Sequence, residues 1–562
     1  MKNETFVTLL TAEGEARSGQ PWNEYPRPQL KRDSFFCLNG EWVFYANNGE
    51  KETILVPYPP ESVLSGIGRS MGESPTVRYE KTFSLPEGFQ KDRVILHFGA
   101  SDQITAVTLN GRHVGIHRGG YNAFSFDVTE YLKEENRLII GVSDDLPSHV
   151  LPYGKQRDDR GGMWYTPVTG IWQTVWMESV PKEYVRRLKI DAGADFVKIT
   201  AQGVKTGEIT VQTPQGAIQA TMTDSEAIVK IPNARLWSPE DPYLYSFTLT
   251  SGEDHIESYF ALRTLEIKTS DGIPRLCLNG KPYFFHGLLD QGYYSDGIYT
   301  PASPENYTRD VEEMKALGFN TLRKHIKIEP ERFYYDCDRL GMIVFQDMVN
   351  NGHYSFLRDT ALPTVGLKRL NDRWIHRDKK TRECFEEGMK ATVEQLYNHP
   401  CICYWTIFNE GWGQFCSDEQ YDALKEMDQS RFIDTTSGWF RGKKSDVESL
   451  HVYFKPVRFS PKDKPTVLSE FGGYSYQPEG HVFHPGKPYG YRFFEKRNEF
   501  EDALIRLYEN EIIPAVAKGL CGAIYTQVSD VEDETNGLLS YDRKVLKVSP
   551  ERMRAIAEKL KI

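Results

Sequence analysis

Two periodicities of apolar residues divide the chain. From about residue 21 to residue 181, hydrophobic positions alternate with polar ones in short runs broken by turn residues, the pattern of strands with one buried face. Two of the turns carry Asn-Gly, at Asn39-Gly40 within the run Phe35 to Phe44 and at Asn110-Gly111 within Val107 to Val114. That pair tolerates the positive φ angles of a type I′ hairpin, so the segment predicts a β-sandwich. A second alternating stretch covers about residues 184–268, with runs such as Glu208 to Gln212 and Tyr243 to Leu249, and its length suits an immunoglobulin-like sandwich.

After about Asp271 the pattern changes to short apolar runs alternating with amphipathic helical segments, and it holds to the C-terminus. Ser303-Pro304 reads as an N-cap and first-turn proline, opening a helix that stops at Gly318. Further helices are predicted around 329–340, 379–397, 418–428 and 498–518. Strands are predicted at 283–286, 320–323, 341–348, 402–408, 432–437, 450–454, 466–469 and 522–526, which is the strand number of a (β/α)8 barrel. The expected organisation is an N-terminal β-sandwich over residues 1–182, an immunoglobulin-like β-sandwich over 183–269 and a C-terminal (β/α)8 TIM barrel over 270–562.

Composition agrees and removes several function classes. A chain of 562 residues predicts about three or four domains, and 39% hydrophobic with 13% aromatic residues supports large packed cores. The formal charge is −11, and basic residues cluster only in short patches such as Arg441 to Lys444, which argues against a nucleic-acid partner. The eight cysteines lack the spacing of a zinc site or a disulfide framework. Residues 1–20 carry neither a signal-peptide core nor a membrane span, so a cytoplasmic location and no membrane partner are expected. No phosphate-cradling glycine loop precedes a helix. His113 and His117 lie on a predicted strand, where four residues separate them by roughly 13 Å, too far to share a metal ion. Neither a cofactor nor a catalytic metal is expected.

In such barrels chemistry sits at the C-terminal ends of the strands, and there polar residues interrupt the apolar runs: Arg323, Asp347, Asn409-Glu410, Trp439, His451 to Tyr453, Glu470 and Gln527. Glu410 and Glu470 are each the first ionisable residue after an apolar strand. Cleaving a glycosidic bond with retention needs two carboxyl groups about 5–5.5 Å apart, one as nucleophile and one as acid and base, and glutamates on neighbouring strands can meet that spacing. The charged, glycine-rich loop from Tyr153 to Tyr165 either reaches over the barrel mouth or is a plain surface loop.

Phe408-Asn409-Glu410-Gly411 and Leu468-Ser469-Glu470-Phe471-Gly472 resemble the acid/base and nucleophile motifs of glycoside hydrolase family 2. Gly170-Ile171-Trp172, the run Leu236 to Tyr245 and Phe260 to Thr264 resemble that family's signatures in its two β domains. Asn320 to Arg323 and Tyr335 to Met342 resemble its second and third barrel-strand regions. The resemblance implies a jelly-roll-like, sugar-binding N-terminal domain and a retaining exo-β-glycosidase with Glu410 as general acid/base and Glu470 as nucleophile. Its partner would be an oligosaccharide or glycoside substrate, and many relatives form homo-oligomers. Asn409 is placed to hydrogen-bond the sugar 2-hydroxyl and Arg323 to hold Glu470 ionised. Tyr453 is expected to donate to Glu470, and His451 to contact a carboxylate or the sugar unless it is a core histidine. Trp439 and Tyr525 are candidate walls for stacking on the sugar. Asp290, His325 and Asp347 are candidate hydroxyl-binding groups by strand-end position.

Departures from the family bear on the substrate. Arg323 is followed by Lys324-His325-Ile326-Lys327-Ile328-Glu329-Pro330 where a Ser-His-Tyr-Pro run is typical. The Asn-x-Lys spacing that grips a glucuronate carboxylate appears only at Asn279-Gly280-Lys281, in a predicted hairpin ahead of the barrel. Lys324, Lys327 and Arg441 to Lys444 are candidates for a different carboxylate clamp. A β-galactosidase is the first expectation, with a β-hexuronidase (galacturonidase or glucuronidase) or another β-glycosidase as the alternative. A non-catalytic carbohydrate-binding protein is the reading from another class.

Overall fold

The computed structural model describes residues 6–47, 49–270, 272–364 and 371–562. The expected boundary at Asp271 and the middle of the expected loop 350–377 lie outside the described residues. The N-terminal region packs a six-stranded antiparallel sheet against a four-stranded one, around a core that includes Trp42, Phe44, Tyr79, Leu96, Val107, Ile140 and Met177. Asn110 and Gly111 adopt φ of +55° and +79° between strands Ile104–Leu109 and Arg112–Arg118, the hairpin their sequence predicts. Asn39-Gly40 departs from that expectation. Phe36–Cys37 pairs with Trp176 and Met177 in one sheet, while Gly40 already pairs with Val56 in the other. Asn39 is buried at this crossing, where its amide accepts from the Val175 N–H and donates to the Thr174 hydroxyl.

The second domain sets three strands, Arg187–Ala192, Phe196–Gln202 and Glu226–Lys230, against four, Gly207–Thr213, Gly216–Met222, Tyr245–Ser251 and Asp254–Phe260. The alternating burial of these strands supplies a core of Val197, Ile199, Val211, Phe247, Leu249 and Ile256. Two of its motif residues dock it on the barrel. The buried Trp237 indole donates to the Asp338 carbonyl at 2.7 Å, and the Arg263 guanidinium donates to the Pro400 and Ile402 carbonyls, each at 2.6 Å.

The barrel strands are β1 Phe285–Asp290, β2 Thr321–Lys324, β3 Ile343–Asp347, β4 Ile402–Asn409, β5 Phe432–Ser437, β6 Glu448–Val452, β7 Thr466–Gly472 and β8 Leu520–Thr526. They are parallel and, apart from the alternately buried β6, nearly continuously buried, as expected for strands covered on both faces. The hydrogen-bonded order is β5-β4-β3-β2-β1-β8-β7-β6, which leaves a seam between β5 and β6. Among the described residues no helix follows β5 or β6, so the helical ring is incomplete where the ladder is interrupted. Hydroxyls tie the seam instead: Ser437 lies 3.4 Å from the Ser449 hydroxyl and 2.8 Å from His451 Nε2, and donates to the Ser469 hydroxyl at 3.0 Å. A C-terminal helix absent from the sequence expectations, Pro550–Lys559, is capped by Ser549 and buries Met553 and Ile556.

Candidate active site

Arg323 organises the site from the end of β2. Fully buried, its guanidinium donates to Asp347 Oδ1 at 3.0 Å, to Glu470 Oε1 at 3.0 Å, to the Ser469 carbonyl at 3.1 Å and to Asn409 Oδ1 at 2.9 Å. One cation thereby joins the ends of β2, β3, β4 and β7. The Tyr453 hydroxyl donates to Glu470 Oε2 at 2.6 Å. Burial alone would raise the Glu470 carboxyl, but the charges of His451 and Arg323 and the tyrosine hydrogen bond outweigh it and hold the group at about 2. Glu470 is therefore ionised across the physiological range.

Glu410 is positioned by backbone geometry. It adopts φ +55°, uncommon for a residue with a side chain. Its N–H donates to the Ser437 carbonyl at 2.9 Å, and its own carbonyl accepts from Trp439 Nε1 at 2.9 Å. The turn carries the carboxyl inward from β4, where Oε1 lies 2.7 Å from His451 Nδ1. A register shift between Leu450 and His451 brings His451 opposite Glu470, so its Nδ1 is also 3.4 Å from Glu470 Oε2. Gly438 leaves room for the ring, since a Cβ there would stand 2.8 Å from His451 Nδ1. Ligand atoms of Glu410, His451 and Glu470 all lie within 4.8 Å of one another. This is the set with metal-ligand spacing among the described residues, although its atoms already satisfy each other by hydrogen bonding. The two carboxyl groups are spaced for a double displacement.

The structure brings Arg323, Asn409, Glu410, Trp439, His451, Tyr453 and Glu470 together. His325 and Asp347 join from behind. His325 Nδ1 sits 2.7 Å from Asp347 Oδ2, and burial lowers the imidazole to about 4, so it is neutral at pH 7. Both oxygens of Asp347 are spent on Arg323 and His325, so it positions these groups where the sequence suggested a hydroxyl-binding carboxylate.

Two expected residues lie elsewhere. Asp290 points to the outside of the barrel wall, accepting from Lys324 Nζ at 2.7 Å and the Gly292 N–H at 2.9 Å. Tyr525 is a fully buried core residue packed edge-on to Phe471, and its neighbour Thr526 reaches the site, with its hydroxyl 2.9 Å from that of Tyr453. The proposed clamp cations are also committed elsewhere. Lys324 and Lys327 are buried on Asp290 and Glu329, Arg441 pairs with Glu448, and Lys444 pairs with Asp422. The Asn-x-Lys segment forms the hairpin turn between Ile273–Leu278 and Lys281–Pro282, away from the mouth.

Sequence reasoning missed the floor and walls supplied by loops. Tyr491 stacks on Tyr453 with centroids 3.8 Å apart, and its position late in the long segment after β7 was the only signal. The loop from Tyr153 to Tyr165 does reach over the mouth. The Tyr153 hydroxyl donates to the Gly352 carbonyl at 2.8 Å, the Tyr165 hydroxyl donates to Glu534, and Trp164 packs edge-on to Trp412 at 4.9 Å and Tyr354 at 5.0 Å.

Comparison with known proteins agrees with this architecture. Residues 58–181 match the sugar binding domain of glycosyl hydrolases family 2, residues 187–263 match the model described as glycosyl hydrolases family 2, and residues 271–544 match that family's TIM barrel domain. A β-galactosidase of Thermoanaerobacter pseudethanolicus is 26% identical over 421 residues, covering 70% of this chain and 52% of that protein. The chain spans 52–58% of the length of three curated relatives that it matches. Among solved structures, a β-glucuronidase from an uncultured Clostridium species superposes with a TM-score of 0.74 at 18% identity, over 95% of this chain and 99% of that one. A β-galacturonidase from Eisenbergiella tayi superposes with a TM-score of 0.69 at 18% identity, over 96% of this chain and 98% of that one. At such identities the superpositions establish the fold.

Proposed function

The chain belongs to glycoside hydrolase family 2, and from that premise we propose that it is a retaining exo-β-glycosidase with Glu470 as nucleophile and Glu410 as general acid and base. A Glu470 oxygen attacks the anomeric carbon while the Glu410 carboxylic acid gives its proton to the departing glycosidic oxygen, leaving the sugar esterified to Glu470. Glu410, now a carboxylate, takes a proton from water as that water attacks the same carbon and releases Glu470. The Arg323 and Tyr453 hydrogen bonds keep the attacking carboxylate ionised and aimed. The Asn409 side chain, held through its oxygen by Arg323, keeps its NH2 group for the sugar 2-hydroxyl.

The observation that carries this reading is the approach of the Glu410 and Glu470 carboxyl oxygens to within 4.8 Å, the short spacing of a double displacement. Proton NMR of the sugar first released from an aryl β-glycoside tests it. The β-anomer is expected before mutarotation, and initial release of the α-anomer refutes the mechanism. For the terminal sugar, the resemblance favoured a β-galactoside, while similar proteins bear the names β-galactosidase, β-glucuronidase and β-galacturonidase. A β-hexuronide is the second reading, favoured by Lys155 of the loop over the mouth, whose ammonium lies 5.6 Å from the Trp164 ring centroid.

A further inference from the structure

Lys155 lies in the loop that the N-terminal sandwich extends over the barrel mouth. It is 8% exposed, yet among the described residues its ammonium makes neither a hydrogen bond nor an ion pair. Its recorded contact is with the Trp164 ring, 5.6 Å from the centroid. The backbone on both sides is fixed. Gly154 adopts φ +63° where a Cβ would stand 2.6 Å from the Tyr121 hydroxyl and 3.0 Å from the Ile326 carbonyl. Gln156 donates to Asp102 at 2.7 Å and Tyr121 at 3.0 Å and accepts from the Val168 N–H at 2.7 Å. Lys155 is thus aimed by a tightly specified loop: its stem is buried, while its ammonium keeps an accessible face with no anion on it among the described residues.

The surroundings place this cation beside the catalytic pair. Trp164 packs on Trp412, two residues beyond Glu410. The charge of Lys155 bears on His325, which is bound to Asp347, and on Glu534. Neither makes an ion pair with it among the described residues. His325 is already committed to Asp347, and Glu534 accepts from the Tyr165 hydroxyl and from Asn536 Nδ2 at 3.0 Å. Burial also pushes the Glu534 carboxyl up, toward its neutral form.

We propose that Lys155 of the N-terminal sandwich selects the sugar of this glycosidase, by pairing with an anionic substituent such as the carboxylate of a hexuronic acid. The inference rests on the reading of the cleft as a glycosidase site. A neutral hydroxyl would leave the cation uncompensated, whereas a carboxylate or a sulfate ester supplies the missing charge. The clamp cations suggested by the sequence are paired or exposed elsewhere, whereas Lys155 brings a charge of the right sign to the mouth.

Calorimetric binding of D-glucuronate, D-galacturonate, D-galactose 6-sulfate and D-galactose to the full chain and to Lys155→Met tests the proposal. At least one hexuronate is expected to bind about 10- to 100-fold tighter than galactose, the range of a charge-assisted hydrogen bond, with that preference lost in Lys155→Met. Tighter binding of the 6-sulfate than of either hexuronate would assign the cation to a sulfated sugar and overturn the hexuronate assignment. Lys155→Arg should keep the preference within about tenfold, since it keeps the charge. In turnover, the ratio of aryl hexuronide to aryl galactoside kcat/KM should fall by the same factor. The melting temperature of Lys155→Met should hold, because the ammonium makes no bond for methionine to remove and the packing of the stem is kept. Equal weakening of charged and neutral sugars with a lowered melting temperature would make Lys155 structural and overturn the proposal. Turnover of neutral glycosides without any preference for acidic sugars overturns it while leaving the glycosidase reading intact. Lys155-dependent hexuronate binding without turnover of any glycoside does the reverse.

Discussion

Arg323 and Lys324 are consecutive residues of β2, and each stands at the centre of a buried ionic cluster, one inside the barrel and the other outside. The strand's alternation sends Lys324 out toward the ring of Phe333, 4.1 Å from its centroid, where it donates to Asp290 at 2.7 Å and Glu329 at 2.9 Å. Lys327 completes the outer cluster, donating to Glu329 and to the Gly292 and Tyr299 carbonyls, while the Tyr307 hydroxyl caps Glu329 at 2.7 Å. In both clusters the cation is paired with two carboxylates. The difference lies at the anionic end. The outer cluster closes on buried hydroxyl and carbonyl groups, whereas the inner one runs from Arg323 through Glu470 and His451 to Glu410, a carboxyl whose side chain keeps 20% of its surface exposed. Closure makes a cluster structural, and an open carboxylate at its end makes the other one chemical.

The largest effect should come from ending the inner chain. Glu470→Gln removes the proposed nucleophile and should lower kcat for any aryl glycoside by about 10⁴-fold or more, measured by initial rates. Glu410→Gln should cost about 10²- to 10⁴-fold on substrates with poor leaving groups. Activated leaving groups and added azide should restore part of that loss, since the first step then needs little acid help and azide replaces the water that needs a base. Near-normal rates for either variant would break the distinction between the clusters.

The outer cluster should answer in stability. Glu329→Gln leaves Lys324 and Lys327 short of charge in a buried site, which should cost about 3–5 kcal/mol by denaturant unfolding. Turnover by the protein that remains folded should change by less than about twofold, roughly the scale of a remote surface change. A kinetic loss matching that of the inner variants would show that the two clusters act as one network.

The strands and the catalytic carboxyls were legible because both are one-dimensional signals. Buried parallel strands read as apolar runs, and Glu410 and Glu470 are the first charges that end them. The in-or-out parity of a strand end is not written in such a run. Asp290 and Tyr525 were therefore placed in the site, although the pleat turns Asp290 outward and gives the mouth to Thr526. The register shift that pairs His451 with Glu470 leaves no trace in sequence, since it depends on how two strands meet. Lys155 is hidden for another reason: its loop has no periodicity, and what it faces belongs to another domain, as the bond from Tyr153 to Gly352, 199 residues on, illustrates. The helix Pro550–Lys559, by contrast, carries a readable start in Ser549-Pro550.

Tyr453→Phe probes a side branch of the inner chain. It removes one hydrogen bond from Glu470 and leaves Arg323 and His451 in place. A charge-assisted hydrogen bond predicts about a 10- to 100-fold loss in kcat/KM. Glu470 has a depressed pKa in the folded protein, about 2, so its stabilising contribution is present above the ordinary carboxyl value of 4.5 and is lost as pH falls toward 2. Without the tyrosine hydroxyl that pKa rises, so the acid limb of the kcat/KM profile and the onset of acid unfolding should both move to higher pH. An acid limb that stays in place while the rate falls would mean that Tyr453 acts on the sugar alone, and that Arg323 with His451 suffices to hold the nucleophile ionised.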